Sequence, residues 1–153
     1  MDIKLVCVGK IKEDYIVNGI LEYTKRIKPF CNLSIIEVKE FNNYLDKRNM
    51  DEEGKLILDN ISNNDFVITL EIQGKELDSI ELANFISNHY TYNSSVITFV
   101  IGGSNGLSDE VKKRSNYKLS FSKLTFPHQL MRLIFLEQLY RSMTIINNMK
   151  YHK

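Results

Sequence analysis

The chain has 153 residues, 43% of them hydrophobic and 25% charged, the profile of one globular domain over 1–153 that buries roughly 70% of its unfolded surface. Its longest uncharged apolar runs, Val96 to Ile101 and Leu133 to Leu136, fall far short of the ~20 residues that span a bilayer, which excludes a membrane-spanning helix. With 20 basic and 19 acidic residues the net charge is +1, which argues mildly against a domain that grips nucleic acid by bulk electrostatics.

The N-terminal MDIKLVCVGKIK has only a strand-length apolar run and no charged leader, so it is not read as a secretion signal and a cytoplasmic location is expected. Lys4 to Gly9 reads as a first strand. Ile16, Ile20, Tyr23 and Ile27 then recur at helical spacing, and Pro29 ends that helix. Leu33 to Val38 is a second strand, 41–50 a poorly patterned loop with a frayed helix start, and Asp51 to Ile61 a helix around Leu56, Ile57 and Ile61. Asp65 to Ile72 is a third strand. After Gln73-Gly74-Lys75 a helix begins near Ser79, with Asp78 and Glu81 at capping-box spacing. Ser95 to Ile101 is a fourth strand running into Gly102-Gly103-Ser104-Asn105-Gly106, followed by a short helix over 108–114 and a fifth strand from Tyr117 to Phe121. Pro127, as first helical residue, opens a long last helix to about Asn147. Strands alternating with helices, the inner ones apolar on both faces, predict an α/β fold with a mostly parallel sheet and helices on both faces. Cys7 and Cys31 lack metal-ligand spacing and read as buried thiols; no metal site is expected.

Ligands of such sheets bind beyond the carboxyl ends of the strands. Gly74 follows strand three, Gly102, Gly103 and Gly106 follow strand four, and 120–126 follows strand five, so three loops converge there. Each glycine alone also fits a tight turn. A polyphosphate ligand is disfavoured. Ser104 breaks the dinucleotide fingerprint, no lysine follows Gly106, and Asp109 with Glu110 puts negative charge in the first helical turn. A phosphate-free cofactor with a flat ring, held by backbone groups, fits better.

Four ordered motifs, LEIQGKELDS (70–79), IGGSNG (101–106), SFSKLTFPHQLMR (120–132) and the terminal YHK (151–153), resemble the RlmH family of SPOUT methyltransferases, which methylate N3 of a pseudouridine in bacterial 23S ribosomal RNA. The resemblance extends over essentially the whole chain and is weakest over 41–50; Phe121 and Leu124 depart from it by apolar replacement. It implies a C-terminal trefoil knot, which no periodicity shows and which general topology disfavours. It also implies S-adenosyl-L-methionine as cofactor, enclosed by Leu70 and the 71–74 turn, Gly102 with Gly103, and Phe121, Ser122, Lys123, Leu124, Thr125 and Phe126. The partners it implies are 23S rRNA within the assembled ribosome and a second copy, as a homodimer through the last helix. That helix is apolar almost all round, more than one core face needs.

At its start His128 and Arg132 are candidate catalytic residues, each with a structural alternative: a satisfied histidine near a helix start, and an ion pair with Glu137 of a neighbour. In the tail, Tyr151 is a candidate to stack on or bond the target base, and His152 and Lys153 to touch RNA phosphate or assist deprotonation. His128 and His152 are the candidate general bases; His89 is given no role. Lys112, Lys113 and Arg114 form a basic patch that suits RNA or simply a solvated helix face. A binding module without catalysis and a flavodoxin-like nucleotide enzyme are the competing readings. The first is opposed by the intact loops and tail, the second by Asp109-Glu110.

Overall fold

The computed structural model describes residues 1–93 and 95–153. Five strands, β1 (Asp2–Val8), β2 (Asn32–Val38), β3 (Phe66–Glu76), β4 (Ile97–Ile101) and β5 (Tyr117–Ser120), form one sheet in the order β2-β1-β4-β3-β5. Every pairing between them is parallel. The helices α1 (Asp14–Ile27), α2 (Asp46–Asp59), α3 (Ser79–Asn93), α4 (Asp109–Arg114) and α5 (His128–Ile146) alternate with the strands.

Strand alternation divides the core into two layers. Ile3, Leu5, Cys7, Ile97, Phe99 and Ile101 face α1, α3 and α5 through Ile27, Leu82, Ile86, Phe135 and Leu139. Val6, Val8, Val67 and Val100 face α2 and α4 through Ile57 and Val111. Both faces are covered, as the apolar inner strands predict. Cys7 and Cys31 are buried free thiols, and desolvation pushes them up to about 12 and about 11.

Three boundaries differ from the sequence reading. Helix α2 starts at Asp46, five residues before Asp51, because polar contacts set its start: Asn49 donates to the Tyr44 carbonyl at 3.0 Å and accepts from the Tyr44 N–H at 3.1 Å. Such a closure leaves no hydrophobic period to read. Pro127 is the residue before α5, not its first residue, since its ψ of 134° is extended. The expected capping box at α3 does form, with Asp78 N–H donating to Glu81 and Glu81 N–H to Asp78, both at 2.7 Å.

The third difference positions the site. Strand β3 runs on to Glu76, and Leu119 of β5 is in register with both Leu70 and Lys75. Residues 71–74 therefore stand off β5 and return to it. At the return, a Cβ on Gly74 would lie 2.7 Å from the Lys118 carbonyl carbon and oxygen and 2.8 Å from the Leu119 carbonyl carbon. Those atoms are backbone and cannot rotate aside. Gly74→Ala is therefore expected to lower stability by about 1–3 kcal/mol, read as a lower urea midpoint with unchanged slope, and to weaken ligand binding at the adjoining cavity.

Candidate active site

Because all strands run the same way, their carboxyl ends share one edge of the sheet, and the three loops, two of them glycine-bearing, meet there. They enclose a cavity of about 840 Å³, within the range of small-molecule sites. Its walls include Leu70, Glu71, Ile72, Gln73, Gly102, Gly103, Phe121, Ser122, Leu124, Thr125, Phe126 and His128. Of the residues expected around the cofactor, Gly74, packed on the β5 backbone, and Lys123 do not line it. Lys123, the more exposed of the two, sits in a turn where Ser120 donates to the Ser122 carbonyl at 3.0 Å and Ser122 Oγ accepts from Leu124 N–H at 3.0 Å. Leu124, 70% exposed, forms the rim.

The glycine loop is a built cradle. Gly106, at φ +82°, turns the chain, and its N–H donates to the Gly103 carbonyl at 3.1 Å. A Cβ on Gly102 would stand 3.0 Å from Leu107 and 3.1 Å from the Gly106 backbone, and one on Gly103 would stand 2.9 Å from Val8. Ser108 caps α4 by accepting from the Val111 N–H at 3.3 Å. With Asp109 and Glu110 in the first turn, that helix start repels phosphate rather than binding it.

Under this loop lies a residue the sequence reading assigned nothing. Glu53 is 1% exposed and accepts at one oxygen from the Phe41 N–H at 2.9 Å and from Asn105 at 3.2 Å; its Oε1 is buried without a partner. It fastens the 41–45 segment to the glycine loop. Burial raises its pKa above the ordinary 4.5, against the hydrogen bonds from Phe41 and Asn105 that lower it. The folded state therefore holds this proton more tightly than the unfolded state, so this group's contribution to stability falls as pH rises above 4.5 through the raised value. Glu53→Gln lacks that proton. The stability of the native chain relative to Glu53→Gln should decline with pH in that window, as urea unfolding at stepped pH would report.

Four candidate catalytic residues separate into two groups. His128 lines the cavity. Its turn is held by Gln129, whose Oε1 accepts from the Lys12 N–H at 3.1 Å. Arg132 does not line it: the side chain is 2% exposed, pairs with Glu37 of its own chain rather than Glu137 of a neighbour, and donates to the carbonyls of Gly9 at 2.9 Å and Val8 at 3.3 Å. Tyr151 and His152 also lie outside the cavity wall. Asn148, at φ +56°, reverses the chain after α5, so the tail folds back along that helix. Tyr151 donates to Glu137 at 3.0 Å and packs edge-on against Tyr140, while His152 meets Arg141 at 3.3 Å. Burial and the bonds with Tyr23 and Glu137 hold the Tyr151 phenol above its ordinary range, so it remains a donor. Glu137 is about two and a half turns beyond His128, ~13 Å along the helix axis. Within one chain the tail does not cover the cavity.

The basic patch also separates. Arg114 is consumed by the carbonyls of Ser62, Asn63 and Asp65, and Lys113 pairs with Glu110 at 3.5 Å, whereas Lys112 and also Lys118 face the cavity. Lys118 was not foreseen, although strand alternation places it opposite the buried Leu119. His89 packs on Phe66 and bonds Ser95 at 2.8 Å, away from the cavity wall. Among the described residues no group of three or more His, Cys, Asp or Glu could hold a metal, and no helix is long and apolar enough to cross a membrane.

Comparison with known proteins agrees with the fold. A solved structure described as a probable methylase family protein from Haemophilus influenzae Rd KW20 aligns with a TM-score of 0.50 over 95% of this chain and 66% of that chain, at 14% identity, a likeness of fold. The family model described as "Predicted SPOUT methyltransferase" matches residues 1–152. Full-length relatives named ribosomal RNA large subunit methyltransferase H are 50% identical in Clostridium tetani and 51% identical in Finegoldia magna, with all of both chains covered. On that breadth of match, the chain belongs to the SPOUT methyltransferase family and, within it, to the group of ribosomal RNA large subunit methyltransferase H.

Proposed function

We propose that this protein transfers a methyl group from S-adenosylmethionine to N3 of a pseudouridine in 23S ribosomal RNA, acting on assembled ribosomes in the cytoplasm as a homodimer. The observation that supports this most is the three-loop cavity, lined by Leu70, Gly102, Gly103 and 121–126, in a chain half identical over its full length to methyltransferases of that name. The donor fits the cavity's chemistry. It has no phosphate, and the site offers a side-chain-free cradle at Gly102 and Gly103, apolar walls at Leu70, Ile72, Phe121 and Phe126, and both signs of charge at Glu71, Lys112 and Lys118.

When bound, the donor supplies an electrophilic sulfonium methyl. The chain's task is to hold the base nitrogen about 3–3.5 Å from that carbon, in line. His128 accepts the N3 proton at the cavity wall, which typically contributes about 100- to 10,000-fold. Arg132 acts as a strut beneath it rather than as a reactive group. Tyr151 and His152 reach the substrate from the partner subunit. The stripe Leu130, Ile134, Glu137, Arg141 and Ile145, half-buried in the single chain and spaced for one helix face, supports this reading. The tail lies on that stripe, so pairing two such faces carries each tail toward the other chain's cavity. The family match supports a C-terminal segment threaded as a trefoil knot.

The test is transfer of labelled methyl from S-adenosylmethionine to ribosomes lacking the modification, with modified ribosomes as control. Label in 23S RNA of the first only is the expected result. Donor binding with no labelled RNA would make the protein a binding module instead.

A further inference from the structure

One carboxylate stands against two residues of the cavity wall without lining the cavity itself. Glu40, two residues beyond the end of β2, places Oε1 3.9 Å from Nε2 of His128 and within 3.5 Å of the Ser104 hydroxyl. Its Oε2 lies 3.6 Å from where a Cβ on Gly9 would begin. The side chain thus crosses from β2, over a glycine that leaves it room, to the point where the glycine loop meets the start of α5. His128 has a matching need: its Nε2 is buried with no hydrogen-bond partner, and Nδ1 is not in that state. A neutral imidazole carries its proton on one nitrogen only, and which one is set by the partner of that nitrogen. Glu40 is the carboxylate that faces Nε2. Being 27% exposed at the side chain, it is free to close the remaining ~1 Å to hydrogen-bond distance.

We propose that Glu40 is the positioning residue for His128: its carboxylate accepts the Nε2 proton, fixes that tautomer, and leaves the Nδ1 lone pair to take the proton from the substrate nitrogen. This rests on His128 being the proton acceptor. In the step, the N3–H electrons form the new N–CH3 bond, the S–CH3 electrons return to sulfur as a thioether lone pair, and the proton passes to Nδ1. The resulting imidazolium then faces the Glu40 charge. Nothing is oxidised or reduced.

The test combines kinetics with the tautomer itself. Glu40→Gln should lower kcat about tenfold with donor Kd, ribosome KM and thermal midpoint unchanged, and should cost nothing further in a His128→Gln background. The 15N spectrum of the native protein with labelled histidine should show the His128 proton on Nε2, and Glu40→Gln should give a mixture of tautomers. An equal loss from Glu40→Gln with and without His128 would place its action elsewhere and overturn the proposal. A native spectrum with the proton on Nδ1 would overturn the positioning whatever the kinetics. Full turnover in His128→Gln would instead overturn the proton-acceptor reading, and with it the catalytic half of this inference, leaving the spectrum to decide the other half.

Discussion

Removal of Tyr151 to Lys153 is expected to abolish most methyl transfer, by about 100-fold or more, while donor affinity stays within about twofold. The reason is geometric. In one chain the tail is latched to its own helix by Tyr151 on Glu137, by the Tyr140 ring 4.7 Å away and by Arg141 4.8 Å over the Tyr151 ring, while the donor loops lie at the other end of α5. The groups lost never touch the donor cavity in that chain. Under the proposed function they complete the base-binding side from the partner subunit. The truncation also loses the hydrogen bond to Glu137, one ring pair and one cation–π contact, about 2–5 kcal/mol in total, so turnover is to be compared below the unfolding temperature. Calorimetry with S-adenosylhomocysteine and the labelled-methyl assay on the same preparation make the comparison. Native turnover in the truncated protein would remove the tail from the site, and loss of donor binding would move the tail to the donor pocket.

Arg132→Leu is expected to act on stability first, by about 3 kcal/mol. Arg132 is the largest of the fully buried side chains and one of few charges in the core. Its guanidinium ties the carbonyls at the end of β1 and the Glu37 carboxylate of β2 to the first turns of α5. Leucine fills the space but leaves the Val8 and Gly9 carbonyls without that donor and Glu37 without its cation. Breaking such a buried pair typically costs about 3–5 kcal/mol; Glu37 is 39% exposed on its side chain, so water recovers part of it and the lower end applies. Arg132→Lys should retain less than half of the difference, since one ammonium cannot reproduce the fork. The measurement is the urea midpoint, followed by turnover at a temperature where each variant is folded. Lost turnover at native stability would restore Arg132 to the reactive groups.

The two residues show where reading a sequence stops. His128 and Arg132 stand one turn apart in TFPHQLMR, and both look equally suited to chemistry. Which one turns to the cavity depends on Glu37, 95 positions earlier, and on the carbonyls after β1. Glu53 and Glu40 were invisible for the same reason: their partners Asn105, Ser104 and His128 come from distant segments. The tail's direction was legible in principle, since Asn147-Asn148 is a helix stop that permits a left-handed residue.

What the sequence determined by itself is whatever depends on near neighbours in the chain. Period-two and period-3.6 apolar patterns set the strands and helices, the acidic turn after the glycine loop disfavoured a polyphosphate, and the four motifs marked the family. The tertiary structure decided what depends on distance through space: that residues 71–74 straddle β5, that Lys112 faces inward while Arg114 is tied down, and that the tail lies on its own helix far from the cavity. Local pattern specifies which face of each element is apolar. Only packing those faces together brings carboxylates, imidazole and glycine turns within bonding reach, because contact energies fall away over a few ångströms while the residues concerned are tens of positions apart.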